Sequence, residues 1–352
     1  MRSLKVLVTA DPYIPVPPRL YGGIERMVDL LVRGLLARGH DVTLIAHPES
    51  RTDGRLVPYG APPHVGAGPR ARELWQAGSA LWARRGTVDL VHSFGRLAAL
   101  APLLPLRRLP KIQSYHRPQV PWESVAVASR MAGASLAFTS CSTSVFRARQ
   151  AAGTLPGSWR AVFNSVAPST YRFESHVADD APLVFLGKLE PMKGVHDAIA
   201  IARTTERRLV IAGPRAESGP DRAYFESEIA PHVDGRRVTF AGPLDDAGKS
   251  ALLGQARALL FPTYWEETFG LVMIEAMACG TPVVGYARGA VPEVIRDGVN
   301  GYLCRSVDEA ADAVKRIDLI DRWAVREDCQ RRFSDTEMVS AYERLYLEML
   351  DA

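Results

Sequence analysis

Residues 261–300 read FPTYWEETFGLVMIEAMACGTPVVGYARGAVPEVIRDGVN, and this stretch decides the fold. An apolar run, Ala258-Leu259-Leu260-Phe261, stops at Pro262, as a buried parallel strand does. Thr263 to Thr268 then forms a polar loop that carries the adjacent acids Glu266 and Glu267. Phe269-Gly270 turns the chain into a short apolar helix over Leu271 to Ala278, with Gly280 just past its end. Thr281-Pro282 leads into a second buried strand, Val283 to Tyr286. Strand, loop, helix, glycine and strand make a right-handed βαβ crossover, and such units bind ligands at the carboxyl ends of their strands.

Two carboxylates give this unit its chemistry. Glu267 falls in the loop at the strand's carboxyl end, and Glu275 falls one turn inside the apolar helix. An acid in such a helix is costly to bury without a partner. Between the two lie the free N–H groups of the helix N-terminus, a site for phosphate oxygens. The pattern suits a sugar–phosphate–ribose ligand. On the residues alone, internal capping or pairing of Glu275 is the equal alternative.

Glu267, seven residues, Glu275 and then Ala-Met-Ala-Cys-Gly-Thr-Pro-Val-Val closely resembles the EX7E region of family 4 retaining glycosyltransferases. Gly289 to Gly301, GAVPEVIRDGVNG, continues the resemblance. It implies the α/β GT-B fold: two Rossmann-like, doubly wound domains facing an interdomain cleft. It fixes the reaction type better than the substrate.

The 352 residues suffice for two domains, and 47% hydrophobic with 23% charged residues is ordinary for a globular protein. No segment reaches the roughly 18 uninterrupted apolar residues that span a bilayer. MRSLKVLVTA reads as a first strand rather than a signal peptide, and a cytoplasmic location is expected. Cys141, Cys279, Cys304 and Cys329 lack CxxC spacing, so reduced thiols are expected rather than a metal site or disulfides. A net charge of +4 suits anionic ligands and does not argue for nucleic acid.

The first domain is expected over residues 1–174. A strand over Lys5 to Thr9, a Pro-rich loop from Asp11 to Leu20 and a helix over Ile24 to Arg38 begin it, without the GxGxxG of a dinucleotide site. Paired glycines, Gly22-Gly23, stand at that helix's N-terminus, where backbone can approach a phosphate; turn formation is the plain alternative. Val57 to Pro69 reads as a surface loop. Arg70 to Arg85, with Trp75 and Trp82, reads as a packed helix, or else as an acceptor-binding or peripheral membrane surface. Strands ending in His92 and His116 place both histidines at the carboxyl edge, followed by an irregular loop from Arg117 to Trp122.

A linker is expected over Ala167 to Pro182 and a second domain over residues 175–335. Its strands Leu183–Gly187, Leu209–Gly213 and Val238–Gly242 each stop at a glycine, and Gly213 and Gly242 suit either a nucleobase pocket or plain tight turns. Lys188 and Lys193 straddle a strand–helix loop. A last amphipathic helix covers residues 336–350.

The resemblance assigns roles that spacing alone does not. Gly22-Gly23-Ile24-Glu25-Arg26 is similar to the family's N-terminal glycine loop, and Lys188 with Lys193 to its diphosphate clamp, with lysine where arginine is usual. Glu267, with the backbone of Thr268, Phe269, Gly270 and Leu271, would bind the donor sugar, and Glu275 the ribose. His116 would sit beside the sugar, making His116, Glu267 and Lys193 the expected catalytic set. Arg117 and Trp122 would contact the acceptor, and the last helix would pack back on the first domain. The expected partners are a nucleotide-diphosphate sugar donor and a small-molecule, glycan or glycolipid acceptor. No cofactor or metal is expected: Asp179-Asp180 and Asp245-Asp246 are not Asp-x-Asp pairs and read as solvated loop acids. A nucleotide-sugar 2-epimerase shares the architecture but not the run around Glu267. A catalytically silent sugar-binding subunit is the non-enzymatic rival.

Overall fold

The structure, a computed structural model, describes residues 2–19, 22–60 and 67–352. Leu20, and residues 61–66 of the loop expected over Val57 to Pro69, lie outside the described residues. The chain forms two compact units, residues 1–164 with 335–352, and residues 165–334.

The first unit is built on a seven-stranded parallel sheet: β1 (Lys5–Thr9), β2 (Asp41–Ala46), β3 (Arg55–Pro58), β4 (Leu90–Ser93), β5 (Lys111–Tyr115), β6 (Leu136–Ser140) and β7 (Ser158–Ala161). Their order is β3-β2-β1-β4-β5-β6-β7, so the winding reverses between β1 and β4. The second unit holds six parallel strands: β8 (Leu183–Leu186), β9 (Leu209–Ala212), β10 (Val238–Gly242), β11 (Ala258–Phe261), β12 (Val283–Tyr286) and β13 (Gly301–Cys304). Their order is β10-β9-β8-β11-β12-β13, with the reversal between β8 and β11. Both sheets are therefore doubly wound. Strands β4, β6, β8, β11 and β12 are buried throughout, because helices cover both faces of a parallel sheet.

The boundary between units falls at Asn164–Ser165, ten residues before the expected 174, and residues 167–182 are not a free linker. Val166 N–H donates to the Phe333 carbonyl, and Arg172 N–H donates to Ser250 Oγ. The buried Arg322 guanidinium donates to the carbonyls of Glu174, Ala256 and Gly254. These bonds tie the segment to the second unit. Nothing in its Pro-rich, acidic composition signalled them.

The helix Asp335–Asp351 belongs to the first unit, where it packs on the helix Gly23–Ala37. A Cβ at Gly34 would stand 2.4 Å from Val339 Cγ2, so glycine lets the two axes approach. Glu343 accepts from Arg38 at 2.5 Å and meets His40 Nε2 at 3.0 Å. Trp122 opens the helix Trp122–Ala132 rather than closing an irregular loop. The helix Ala67–Arg84 buries Ala77 and Leu81 but leaves Trp75 70% and Trp82 42% exposed, with Arg85 lying over the Trp82 ring. No helix among the described residues is long and apolar enough to cross a membrane. None of the four cysteines is in a disulfide, and all are buried.

Candidate active site

In a doubly wound sheet the loops at the switch point diverge and leave a crevice. In the second unit those are the loops after β8 and β11, which carry Lys188, Lys193 and Glu267. Lys193 Nζ lies 2.6 Å from Glu267 Oε2, with both side chains largely shielded. The backbone joins the loops as well, since Tyr264 N–H donates to the Met192 carbonyl at 2.8 Å. Gly194 takes a left-handed conformation beneath Pro262, whose carbonyl oxygen would stand 2.0 Å from a Cβ there.

A third loop, after β12, locks Glu267 from the other side. Ala290 N–H donates to the Glu267 carbonyl at 2.8 Å, and Gly289 N–H donates to Glu266 Oε2 at 2.9 Å. A Cβ at Gly289 would lie 2.3 Å from the Glu267 carbonyl oxygen, and its φ is +54°. Only glycine fits. Glu266 itself is 72% exposed beside Arg288, so the two adjacent acids have different settings.

Under this loop, Asp197 accepts from Tyr264 Oη at 2.7 Å and Tyr286 Oη at 2.6 Å. That knot, buried at Asp197 and Tyr286 and open to solvent at Tyr264, holds the base of the Glu267 loop. Phe269 is buried against Phe333, and Gly270 is the left-handed cap of the helix Leu271–Ala278. Thr268, Gly270 and Leu271 stay half-buried at that helix's N-terminus.

Glu275, one turn in, is 7% exposed and has protein partners. Its Oε1 accepts from Tyr171 Oη and from Lys249 Nζ, each at 3.1 Å. Lys249 also pairs with Asp246 at 2.8 Å, and Asp245 caps the helix Asp246–Gly254 by accepting from Gly248 N–H. The acids at 245 and 246 are thus a cap and an ion-pair partner, not free loop acids. Lys188 is half-exposed, 3.6 Å from Glu190. At the neighbouring strand ends, Gly213 N–H donates to the Gly242 carbonyl at 2.9 Å, so those glycines pack backbone on backbone. Among the described residues, no three His, Cys, Asp or Glu side chains are grouped as metal ligands would be.

The first unit has its own switch-point cavity, about 680 Å³, at the ends of β1, β4 and β5. Asp11, Arg96, His116 and Arg117 line it. Burial raises the Asp11 carboxyl, with Arg96 and Arg117 opposing that shift. Burial also drives the His116 imidazole down to about 4, with a hydrogen bond to the Asn164 side chain opposing it. His116 is therefore a neutral ring at physiological pH. It sits 5.4 Å from the Phe94 ring.

Gly22 packs against Pro18, and a Cβ there would come within 3.0 Å of Glu25 Oε2, so a buried carboxylate already stands at that helix N-terminus. His92 is fully buried, bonded to Tyr346 Oη at 2.6 Å and Ser114 Oγ at 2.7 Å, which makes it a core connector to the last helix. Trp122 packs at a tilt against Trp159 under Arg149 and does not line the cavity. Asp11, Arg96, Lys249 and Tyr171 were not singled out from sequence as site residues. Only Asp11, an acid directly past the first strand, carried a local signal.

Comparison with known proteins agrees with this fold. Residues 21–150 match the model described as Glycosyltransferase Family 4, and residues 169–332 match Glycosyl transferases group 1. A glycogen synthase of Mycobacterium tuberculosis is 28% identical over 370 aligned positions, covering 89% of this chain and 86% of the relative. The crystal structure of a glycosyltransferase involved in avilamycin A biosynthesis is 27% identical with a TM-score of 0.69, covering 99% of this chain and 98% of that one. An Anabaena protein crystallised with UDP-glucose shares the fold at a TM-score of 0.71 and 17% identity, covering 98% of this chain and all of that one. Two doubly wound units, both family models and relatives that span nearly the whole chain lead to one assignment: the chain belongs to the family 4 glycosyltransferases of the GT-B fold, enzymes that act on nucleotide sugars.

Proposed function

We propose that the enzyme transfers a sugar from a nucleotide-diphosphate donor to an acceptor hydroxyl or amine with retention at the anomeric carbon. The observation that carries this reading is the Lys193–Glu267 pair at the β8/β11 switch point, a cation and a sugar-binding acid held together where a ligand crevice is expected. Lys193 neutralises the leaving diphosphate, with Lys188 and the N-terminus of the helix Leu271–Ala278 adding to it. Glu267, with the backbone from Thr268 to Leu271, takes the sugar hydroxyls. Glu275 takes a ribose hydroxyl while Tyr171 and Lys249 hold it in place. Gly213 and Gly242 border the base.

His116, held neutral, is available as a hydrogen-bonding group rather than a cation. No side chain is assigned as a covalent nucleophile. The acceptor oxygen bonds to the anomeric carbon on the face from which the diphosphate oxygen departs, and the acceptor proton passes to that oxygen. Stabilising the departing charge is then the main catalytic term, supplied by lysine and backbone N–H groups without a resident metal. The cytoplasm, where nucleotide sugars are made available, is the proposed location. Incubation with UDP-, GDP-, TDP- and ADP-sugars, read by mass spectrometry, tests the proposal: nucleotide release that needs an acceptor supports transfer, and none with any donor removes it.

A further inference from the structure

The cavity in the first unit has walls of two kinds. The strand-end loops supply its polar groups, Asp11, Arg96, His116 and Arg117. The turn Leu97–Leu103, the residue after it and the helix Trp122–Ala132 supply mainly apolar ones, among them Leu97, Ala101, Leu104, Val127 and Ala128, with Glu123 and Ser124 at the start of that helix and Gln119 just before it adding polar groups at one edge. Ile24 and Phe94 extend that apolar lining. Val127 is 53% exposed, an apolar side chain on the cavity wall that packs on little of its own unit.

A glucan acceptor carries hydroxyls around every ring, and aliphatic walls offer them no hydrogen bonds. Burying a hydroxyl without a partner costs about 1–3 kcal/mol, whereas burying apolar surface returns about 25 cal/mol per Å². The volume, about 680 Å³, is that of a site for one small molecule rather than a channel for a polymer.

We propose that this cavity binds the acceptor, and that the acceptor is a single small molecule with an apolar body and one reactive hydroxyl directed toward Asp11 and His116. The inference rests on the transferase reading above. The hydroxyl hydrogen-bonds to the Asp11 carboxyl, which burial raises and which Arg96 and Arg117 pull the other way. The turn Leu97–Leu103 and the helix Trp122–Ala132 grip the body. An aromatic or polycyclic body and an alkyl chain share this chemistry.

The test is calorimetric binding of four probes to the full chain: 4-nitrophenyl glucoside, octyl glucoside below its micelle concentration, glucose and maltohexaose. At least one apolar glucoside is expected to bind tenfold or more tightly than glucose and maltohexaose, and the better of the two identifies the body as ring or chain. Ala101→Phe fills the cavity and Val127→Asp charges its wall. Both positions are exposed, so neither variant threatens the fold. Each is expected to weaken the apolar probe at least tenfold and leave UDP affinity unchanged. Equal or tighter binding of maltohexaose, or no effect of either variant, overturns the inference. The readout is binding, so its failure leaves sugar transfer standing, and the donor panel tests transfer separately.

Discussion

Lys193 Nζ and Glu267 Oε2 are 2.6 Å apart, so the expected phosphate cation and the expected sugar acid neutralise each other before any ligand arrives. Each charge keeps the other affordable at low exposure. In the proposed reaction a donor diphosphate is predicted to draw Lys193 away from Glu267, and the donor's sugar hydroxyls to give Glu267 new partners.

Removing Lys193 therefore has a double consequence. Lys193→Met is predicted to lower the rate at least tenfold, equivalent to about 1.4 kcal/mol, and to leave Glu267 without its cation. Lys193→Arg keeps the charge and is predicted to restore most of the stability and part of the rate. Steady-state kinetics with thermal melts separates the effects. A Lys193→Met enzyme with full turnover would place the diphosphate elsewhere.

The two glutamates are predicted to divide by substrate. Glu275→Gln weakens bare-nucleotide binding, since a hydrogen bond from a ribose hydroxyl to a charged acceptor is worth about 1.5–3 kcal/mol. Its fold is kept, because Lys249 retains Asp246 and Tyr171 still has an oxygen to donate to. Glu267→Gln lowers turnover with little change in nucleotide affinity. Calorimetry with UDP beside kinetics reads both. Unchanged nucleotide affinity in Glu275→Gln would make Glu275 a structural acid held by Tyr171 and Lys249 alone.

How much of this was legible in the sequence differs from loop to loop. The helix Leu271–Ala278 and its flanking strands were readable from an apolar run broken by Pro262, Gly270 and Gly280, because local chemistry sets those boundaries. The partners of Glu275 were not. Tyr171 and Lys249 lie 104 and 26 residues away in sequence, and no spacing rule encodes a contact made by packing. Trp122 was misplaced for a related reason: a tryptophan after two prolines looks like a loop residue, yet its ring is held by Trp159 from β7, a short strand with no apolar run. Residues 167–182 read as linker because their polarity hides a set of backbone bonds to the second unit.

Gly289→Ala is predicted to cost about 1–3 kcal/mol and to lower turnover with it. The added Cβ would stand 2.3 Å from the Glu267 carbonyl at a positive φ, so the Glu267 loop must shift. A thermal melt and a single-turnover assay check this. Wild-type values in both would mean that the loop after β12 does not position Glu267.

The histidines predict a pH dependence. His116 is lowered by burial from 6.5 to about 4, and His92 lies well below its ordinary value for the same reason. Between those limits the unfolded chain takes up protons that the folded chain refuses, so stability is full above pH 6.5 and falls as pH drops toward 4. His116→Gln is predicted to make that fall shallower, measured as denaturant midpoints across the range. Turnover should show no limb near 6.5 from His116. An unchanged slope in the variant would mean that His116 titrates normally.

The most direct test of the account is proton NMR of fresh product made from an α-linked nucleotide sugar, with EDTA present throughout. The account predicts an α-glycoside, identified by its small anomeric coupling, formed at nearly the metal-replete rate. A β-glycoside, or turnover abolished by EDTA and restored by magnesium or manganese, would contradict transfer driven by Lys193 and the backbone at the β8/β11 switch point.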